Sequence, residues 1–593
     1  MMQNITRHYM NEILTLHTQL RMTFTRHSFA CASATSSISE AFRLTRHCEA
    51  FRPWQSLLLI AIAIILSSCI QEANPEGNTI VEEPTIEELL NGLPADLSAA
   101  GVSGFYASTG FHVDFGLPSI HIMTDCMLED LVICGNSRYF QYNNYAMNLD
   151  MGSTGSYASY FWLVYYKGIR SANEIIARLD KDTEDLNEQY YLAQALAYRA
   201  MFYLDLARLY EPKQNAYVPV SSELLGLTVP KVVETTTHEQ STRNPRVKRE
   251  DMYQFILDDL SLAARLFESA NMPKSVIRPN ISGVYGLMAR AYIEMGMWDD
   301  NADAYAKVVE CADKVIAGFK PLTEDQWHDP SSGFNKSASN SSWVWGLSLD
   351  SSMTNNLFNF TAMMAIEAQF SYAQFTCPGV SAQLYAMISD SDFRKYTWYK
   401  SGSGLPYRFA GTLENAQTTQ MYARDYMSLK FRPAQGNCVD YSVGVAAEHP
   451  LMRVEEMYFL KMEALAHSDL SGAVAMLESF MNTYRYSDGS YKCEATTLDE
   501  FLKEMMVQKR IEFWGEGVLI YDYKRLNMGI TRDYKGSVVT NHTDKDYLIN
   551  TTGRSPQWNF CIPLSELQTN LGITADENNP DPTGFTGDPQ VTL

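Results

Sequence analysis

The stretch Ala289–Ile316, ARAYIEMGMWDDNADAYAKVVECADKVI, decides the fold. With the residues just before it, it reads as two helices, Ile281–Met295 and Ala302–Ile316, joined by a short polar turn into an antiparallel pair. Ala289, Tyr292, Gly296, Trp298 and Ala302 fall where a tetratricopeptide repeat places them, with small residues where the helices approach and a glycine ending the first helix.

The same unit recurs on both sides. Upstream, YFWLVYYKGIRSANEIIARLD from Tyr160 carries Phe161, Val164, Tyr165, Ile169, Ala172, Ile175, Ile176 and Leu179 at a helical period, and Leu186–Leu209 follows as its partner. Met252–Phe267 is a further amphipathic helix. Downstream come Val454–Ala466 with Ser471–Tyr484, then Leu498–Trp514, where Thr497 and Glu500 form a capping box and Gly515 and Gly517 supply the stop. The repeats are unevenly spaced, so the expectation is a mainly α, tetratricopeptide-like helical-repeat scaffold with loops laid over it. Thr85–Gly155 is broken by Gly and Pro and reads as loops or short helices, with helical period only near Glu87–Leu90.

The longest interruption, 320–450, is a loop-rich insert in which aromatic residues concentrate: Trp327, Trp343, Trp345, Phe358, Phe360, Phe370, Tyr372, Phe375, Trp398, Tyr399 and Tyr407. Within it Ser342–Leu349, SWVWGLSL, has the alternation of a short strand.

At the other end, Leu57–Leu66 is an uninterrupted apolar run after Arg52 that gives way to Ser67-Ser68-Cys69. It is too short to span a bilayer, which takes roughly 20 apolar residues, and it has the layout of a secretory signal. Leu66-Ser67-Ser68-Cys69 resembles a bacterial lipobox, in which the cysteine is lipidated. Residues 1–68 therefore read as leader and lipoprotein signal peptide, long enough to suggest a start codon placed too early, and 69–84 as a flexible, acidic tether.

The totals exclude some classes of function. The chain has 593 residues, is 46% hydrophobic and carries a formal charge of -22, which describes an acidic globular protein rather than a binder of nucleic-acid phosphates. The cysteines after Cys69 are odd in number and lack CxxC or zinc spacing; Cys126 and Cys134 are close enough for a local disulfide, but free thiols are the preferred reading. No GxSxG, HExxH, GxxxxGK[ST] or GxGxxG occurs. Asp390 with Asp392, and Glu512 with Glu516, are spaced as acid and base pairs sometimes are, but Glu512 and Glu516 lie at helical spacing beside Arg510 and Arg525, which favours a structural ion-pair network. His112, His121 and His449 read as isolated surface residues. The acidic tail Asp576–Asp588 lacks EF-hand spacing. No cofactor or metal is expected.

Together these residues resemble the SusD/RagB family of surface nutrient-binding lipoproteins. The stretches that carry the likeness are the lipobox at Cys69, Trp162–Ile176 (WLVYYKGIRSANEII), Ala193–Tyr210 (AQALAYRAMFYLDLARLY), Asp392-Phe393-Arg394, Arg453–Ala466 (RVEEMYFLKMEALA), Arg510–Arg525 (RIEFWGEGVLIYDYKR), and Ile562-Pro563 with Glu566. The tail departs from the family's usual close, since Asn579-Pro580 runs on into Asp581.

The resemblance implies a SusD-like domain over 85–593, comprising repeat helices in 85–319, the insert 320–450 as ligand-binding candidate, and late repeat helices with the tail in 451–593. It implies a non-catalytic protein at the outer membrane, anchored through lipidated Cys69, which captures an oligosaccharide or a peptide and passes it to a SusC-like TonB-dependent transporter. Aromatic rings stack on the C–H faces of sugars. On that basis Tyr372, Phe375, Trp398, Tyr399 and Tyr407 are the ligand-binding candidates, with Tyr139, Phe140 and Tyr142 behind them, while Trp162, Trp298 and Trp514 are assigned to the core. Two other classes stay open on the residues alone: a surface glycoside hydrolase, and a purely protein-docking scaffold.

Overall fold

Polar side chains cap the N-terminal ends of several scaffold helices. The structure is a computed structural model and describes residues 83–98, 113–133, 151–298, 301–329, 334, 340–349, 359–368, 370, 373, 378–400, 425–535 and 548–592. Its long helices are α1 (Ile86–Ser98), α2 (Leu117–Cys126), α3 (Ser156–Ala177), α4 (Leu186–Tyr210), α5 (Arg249–Ala270), α6 (Ile281–Gly296), α7 (Ala302–Ile316), α8 (Val454–Ala466), α9 (Leu470–Tyr484) and α10 (Leu498–Glu512), followed by a short α11 (Leu519–Arg525). Asp185 caps α4 by accepting from the N–H groups of Asn187 and Glu188 at 2.8 and 3.1 Å. Asn280, Asn301 and Asp469 do the same for α6, α7 and α9. The capping box expected at Thr497 and Glu500 is present, and Asn271, with φ of 46°, closes α5 in the left-handed conformation.

From α3 to α9 each helix packs on the next, including α7 on α8, although well over a hundred residues separate them in sequence. The repeat scaffold is therefore continuous in space, and the described residues between α7 and α8 form an excursion from it. The base of that excursion is pinned by two strands: β4 (Trp343–Leu347) pairs antiparallel with β6 (His449–Arg453), with Trp343 opposite Arg453 and Leu347 opposite His449. The strand expected in SWVWGLSL is thus real, and Trp345 packs edge-on to Tyr198 of α4 at 5.1 Å between ring centroids. Small antiparallel pairs also form between β1 (Leu131–Val132) and β5 (Gly379–Val380), and between β2 (Leu227–Pro230) and β3 (Arg246–Lys248).

Helix α4 is the axis of the core. From Leu192 to Tyr210 every residue is buried, because α3, α5 and β2 cover it and the chain's last segment crosses its end. There Asn579 donates to the carbonyls of Tyr210 and Phe560 at 2.8 and 2.7 Å. At Gly296 any Cβ would fall 2.4 Å from the ring of Tyr305, so this helix pair meets as the repeat pattern requires.

Two expectations need correcting here. The segment before Gly155 contains α1 and a second helix, α2, whose residues are all buried; a helix covered on every side shows no amphipathic period. His121 and His449 are not surface residues: they are 7% and 0% exposed, and their rings meet. His112 lies outside the described residues. Cys126 is a free, buried thiol, while Cys134 is outside the described residues. Among the described residues no helix is long and apolar enough to cross a membrane.

Candidate functional site

The excursion between α7 and α8 is fastened to the scaffold by buried charge. Glu512, at the end of α10, accepts from Arg485 at 2.8 Å through both oxygens, from Arg453 at 3.1 Å and from Arg394 at 3.0 Å, and all four side chains are fully buried. Arg394 is also forked onto Asp392. Glu516 takes Lys430 at 2.7 Å and Arg453 at 2.8 Å, and Glu455 takes Arg453 at 3.0 Å and Arg485 at 3.2 Å. Cations and carboxylates balance, which is what makes ionised groups tolerable in an apolar interior. The surrounding guanidinium charges hold the Glu512 carboxyl far below the usual range against the opposing effect of burial. Burial pulls the Lys430 ammonium down to about 8. The ion-pair reading of Glu512 and Glu516 holds, but their partners come from distant segments; Arg510 pairs with Glu129 and Asp130, and Arg525 with Glu463 and Asp522. Asp390, by contrast, is exposed and pairs with Lys395.

This network fixes the roots of the segment 401–424. Residues 397–400 run antiparallel to 425–429: the N–H of Tyr399 donates to the Met427 carbonyl at 2.9 Å, and that of Leu429 to Thr397 at 2.8 Å. Alternation then sorts the side chains. Trp398 points inward, 1% exposed and edge-on to Trp514, so its ring is core and closed to a ligand; that corrects its assignment as a contact residue. Tyr399 is half-buried against Val132, Ile366, Ala373, Met427 and Leu429. Tyr372, Phe375, Tyr407, Tyr139, Phe140, Tyr142 and Cys69 lie outside the described residues.

Beside Tyr399 the fold gathers a surface patch that the sequence did not single out. Tyr426, held at φ of 74°, meets Tyr385 from the short helix Ala382–Met387 edge-to-face, with centroids 5.1 Å apart. Lys400 bonds Asp425 at 2.8 Å and the Tyr426 hydroxyl at 3.0 Å and lies 4.4 Å from the Tyr426 ring centre; these bonds push its ammonium up to about 12. Lys395 lies 5.3 Å from the Tyr385 ring centre, and Tyr396 and Met387 are 44% and 58% exposed. Half-buried rings flanked by fixed ammonium and carboxylate groups suit a ligand with apolar faces and a rim of hydroxyls. No signal marked Tyr385 or Tyr426 in advance, because they meet only after the chain returns from 401–424. Among the described residues no group of three His, Cys, Asp or Glu side chains is placed to hold a metal.

Residues 120–293 match the SusD-like family profile described as starch-binding, associating with outer membrane. The chain has the SusD-like fold. A SusD-like carbohydrate-binding protein from Bacteroides vulgatus superposes with a TM-score of 0.63 at 18% identity, covering 83% of this chain and 97% of its own. A SusD superfamily protein from Bacteroides thetaiotaomicron gives 0.60 at 19% identity, over 84% and 99%. A laminarin-binding SusD-like protein gives 0.55 at 17% identity, over 84% and 98%. No curated protein matches by sequence. The mainly α helical-repeat scaffold read from the sequence, and the SusD-like fold that the resemblance implied, are thus the fold of this chain.

Proposed function

We propose that this SusD-like chain is a cell-surface lipoprotein that binds an oligomeric glycan without catalysis and delivers it to a SusC-like TonB-dependent transporter in the outer membrane. The observation that carries the reading is the Tyr385–Tyr426 patch with Lys400 and Asp425, rooted by buried ion pairs on a SusD-like scaffold. The family description, starch-binding and associated with outer membrane, supports the ligand class and the location. Cys69 would carry the acyl chains, with 69–84 as tether, and the anchored domain would begin near residue 85. The carboxylates best spaced for hydrolysis, Glu512 and Glu516, are buried and claimed by cations, which supports binding rather than turnover.

Isothermal titration of the protein against laminarin, starch and peptide panels, with product analysis of each mixture, tests the proposal. Saturable glycan binding with the ligand recovered intact is the expected result. Turnover would replace it with a surface glycoside hydrolase, and binding confined to peptides would place the chain with RagB-like peptide binders. Labelled palmitate incorporated in wild type and lost in Cys69→Ala tests the anchor.

A further inference from the structure

A cleft of about 620 Å³ opens between the C-terminal end of α4, the strand β2 and the N-terminal end of α5. It lies on the repeat scaffold rather than beside Tyr399, and its wall contains no aromatic side chain. Glu211, Lys213, Glu223, Lys248, Arg249 and Arg554 supply its charged groups, together with Glu250.

The charges are not balanced as they are around Glu512. Glu211, 2% exposed, is held between Lys213 at 3.1 Å and Arg249 at 3.4 Å, and Glu250 takes the Arg249 Nε at 2.9 Å. Lys248 is exposed and has no ion pair among the described residues. In the wall, at Arg554, and behind it, at Lys524 and Arg246, stand cations whose hydrogen-bond partners are neutral oxygens alone. Lys524 donates to the Leu209 carbonyl at 2.7 Å. Arg554 donates to the carbonyls of Gln214, Lys524 and Arg525. Arg246 donates to the carbonyls of Thr228, Leu227, Tyr210 and Glu577 and to the Asn579 amide oxygen. None of these three has a carboxylate within ion-pair distance among the described residues. Burial draws the Arg246 and Arg554 guanidinium groups down to about 10, and burial with the neighbouring Lys213 charge holds the Lys524 ammonium well below its ordinary value. The wall itself carries four cations, Lys213, Lys248, Arg249 and Arg554, against the three carboxylates of Glu211, Glu223 and Glu250, and behind it Lys524 and Arg246 stand near Glu294 and Glu577; the surplus cation of the wall attracts an anion from solution.

We infer that this cleft is a second ligand site, which takes the anionic substituent, carboxylate or sulfate, of an acidic oligosaccharide. Lys213, Lys248 and Arg249 meet the anion, while Glu211 holds Lys213 and Arg249 in place. The exposed rim carboxylate of Glu223 opposes the ligand's charge, and the cleft volume accommodates sugar units on either side of the anion. The inference rests on the glycan-binding reading above.

The test is titration with an oligogalacturonate, a chondroitin sulfate oligosaccharide, a neutral laminarin oligosaccharide and inorganic sulfate, at low and high salt. At least one acidic oligosaccharide should bind the wild type in a salt-sensitive manner. That affinity should drop about tenfold or more in Lys248→Glu, rise in Glu223→Gln, and persist in Tyr426→Ala. The identity of the acidic binder separates carboxylate from sulfate recognition. Binding of laminarin alone overturns this inference and leaves the functional reading standing; binding of inorganic sulfate without either acidic oligosaccharide likewise overturns it. Acidic binding unchanged in Lys248→Glu and Glu223→Gln places the ligand elsewhere. Failure of every glycan removes both readings. Circular dichroism of both variants, whose substituted side chains are exposed, confirms that the fold is retained.

Discussion

His121 of α2 and His449 of β6 are joined by a hydrogen bond of 2.7 Å from ring nitrogen to ring nitrogen, across 328 residues of sequence. The Nδ1 of His449 is buried with no partner, so its proton belongs on Nε2, donating to the Nδ1 of His121. Burial, with a smaller contribution from the Arg290 charge, holds His121 at about 3, and burial with the His121 charge holds His449 well below its ordinary value. Both rings are neutral when folded, whereas the unfolded chain protonates them below pH 6.5. The stability they contribute is therefore full above pH 6.5 and declines as pH falls towards the folded values. Asp125, one turn along α2 and raised to about 7 by burial, has the opposite sign: its contribution is full below its unfolded value and disappears as pH rises through 7. Substituting the histidines separates the two effects. His449→Gln and His121→Asn should each reduce by about 1 kcal/mol the stability that wild type loses between pH 7.5 and pH 5.5, measured by chemical denaturation at both pH values. An undiminished loss in both variants would mean the pair does not titrate on unfolding.

Glu512 is the carboxylate on which Arg394, Arg453 and Arg485 converge. Glu512→Gln keeps its shape and leaves buried guanidinium groups without their counter-charge, so unfolding should become easier by about 3–5 kcal/mol. Because Glu512 is depressed in the folded state, its contribution is present above the ordinary glutamate value and lost as pH falls below it. The exposed pair Lys503–Asp499 is the control, and Asp499→Asn should change stability by no more than about 0.5 kcal/mol. Urea denaturation of both variants decides between a network that holds the excursion and one that is incidental.

These long-range pairs mark the limit of what the sequence conveys. Helices whose polar face meets water were legible almost to the residue: Ala302–Ile316 appears as read, Ser471–Tyr484 starts one residue earlier at Leu470, and the Thr497–Glu500 capping box is present. Helix α2 was missed because burial on all sides removes the period. The insert's aromatics were legible as a group but not individually. Trp327, Trp343, Trp345 and Trp398 are at most 2% exposed and serve as core, while the exposed patch draws Tyr385 and Tyr426 from segments that only pairing brings together. Periodicity reports the face of a single element; it does not report which distant carboxylate an arginine will meet.

Trp398 and Tyr426 therefore make a discriminating comparison. Trp398→Ala removes a fully enclosed ring beside Trp514 and should cost about 3–5 kcal/mol of stability while leaving glycan affinity within about twofold, provided the fold is retained at the titration temperature. Tyr426→Ala should lower glycan affinity about tenfold. Tyr426→Gly should bind as weakly yet be more stable than Tyr426→Ala by about 1 kcal/mol, since only glycine is at ease at φ of 74°. Calorimetric titration beside thermal unfolding of the three variants reads both quantities. Equal affinities for wild type and Tyr426→Ala would remove the patch as a binding surface.

Gly517 connects the end of α10 to the histidine pair. Its φ is 73°, its N–H donates to Asp125 at 3.2 Å, and a Cβ there would fall 2.3 Å from the Cβ of His121. Gly517→Ala thus combines a left-handed backbone with a clash against a buried residue of α2, and neither neighbour can yield, because His121 is bonded to His449 and Asp125 is buried. The cost should exceed about 2 kcal/mol, whereas Gly92→Ala, inside α1 with nothing within 4 Å of the added methyl group, should instead stabilise by about 0.5–1 kcal/mol. The atoms it would strike are the Cα and Cβ of His121, which alanine keeps, so Gly517→Ala should be about as damaging in a His121→Ala background as in wild type. A double-mutant cycle by denaturation checks this: near-additivity is expected, and a rescue of more than about 1 kcal/mol by His121→Ala would show that the imidazole ring, not the backbone and Cβ, carries the clash.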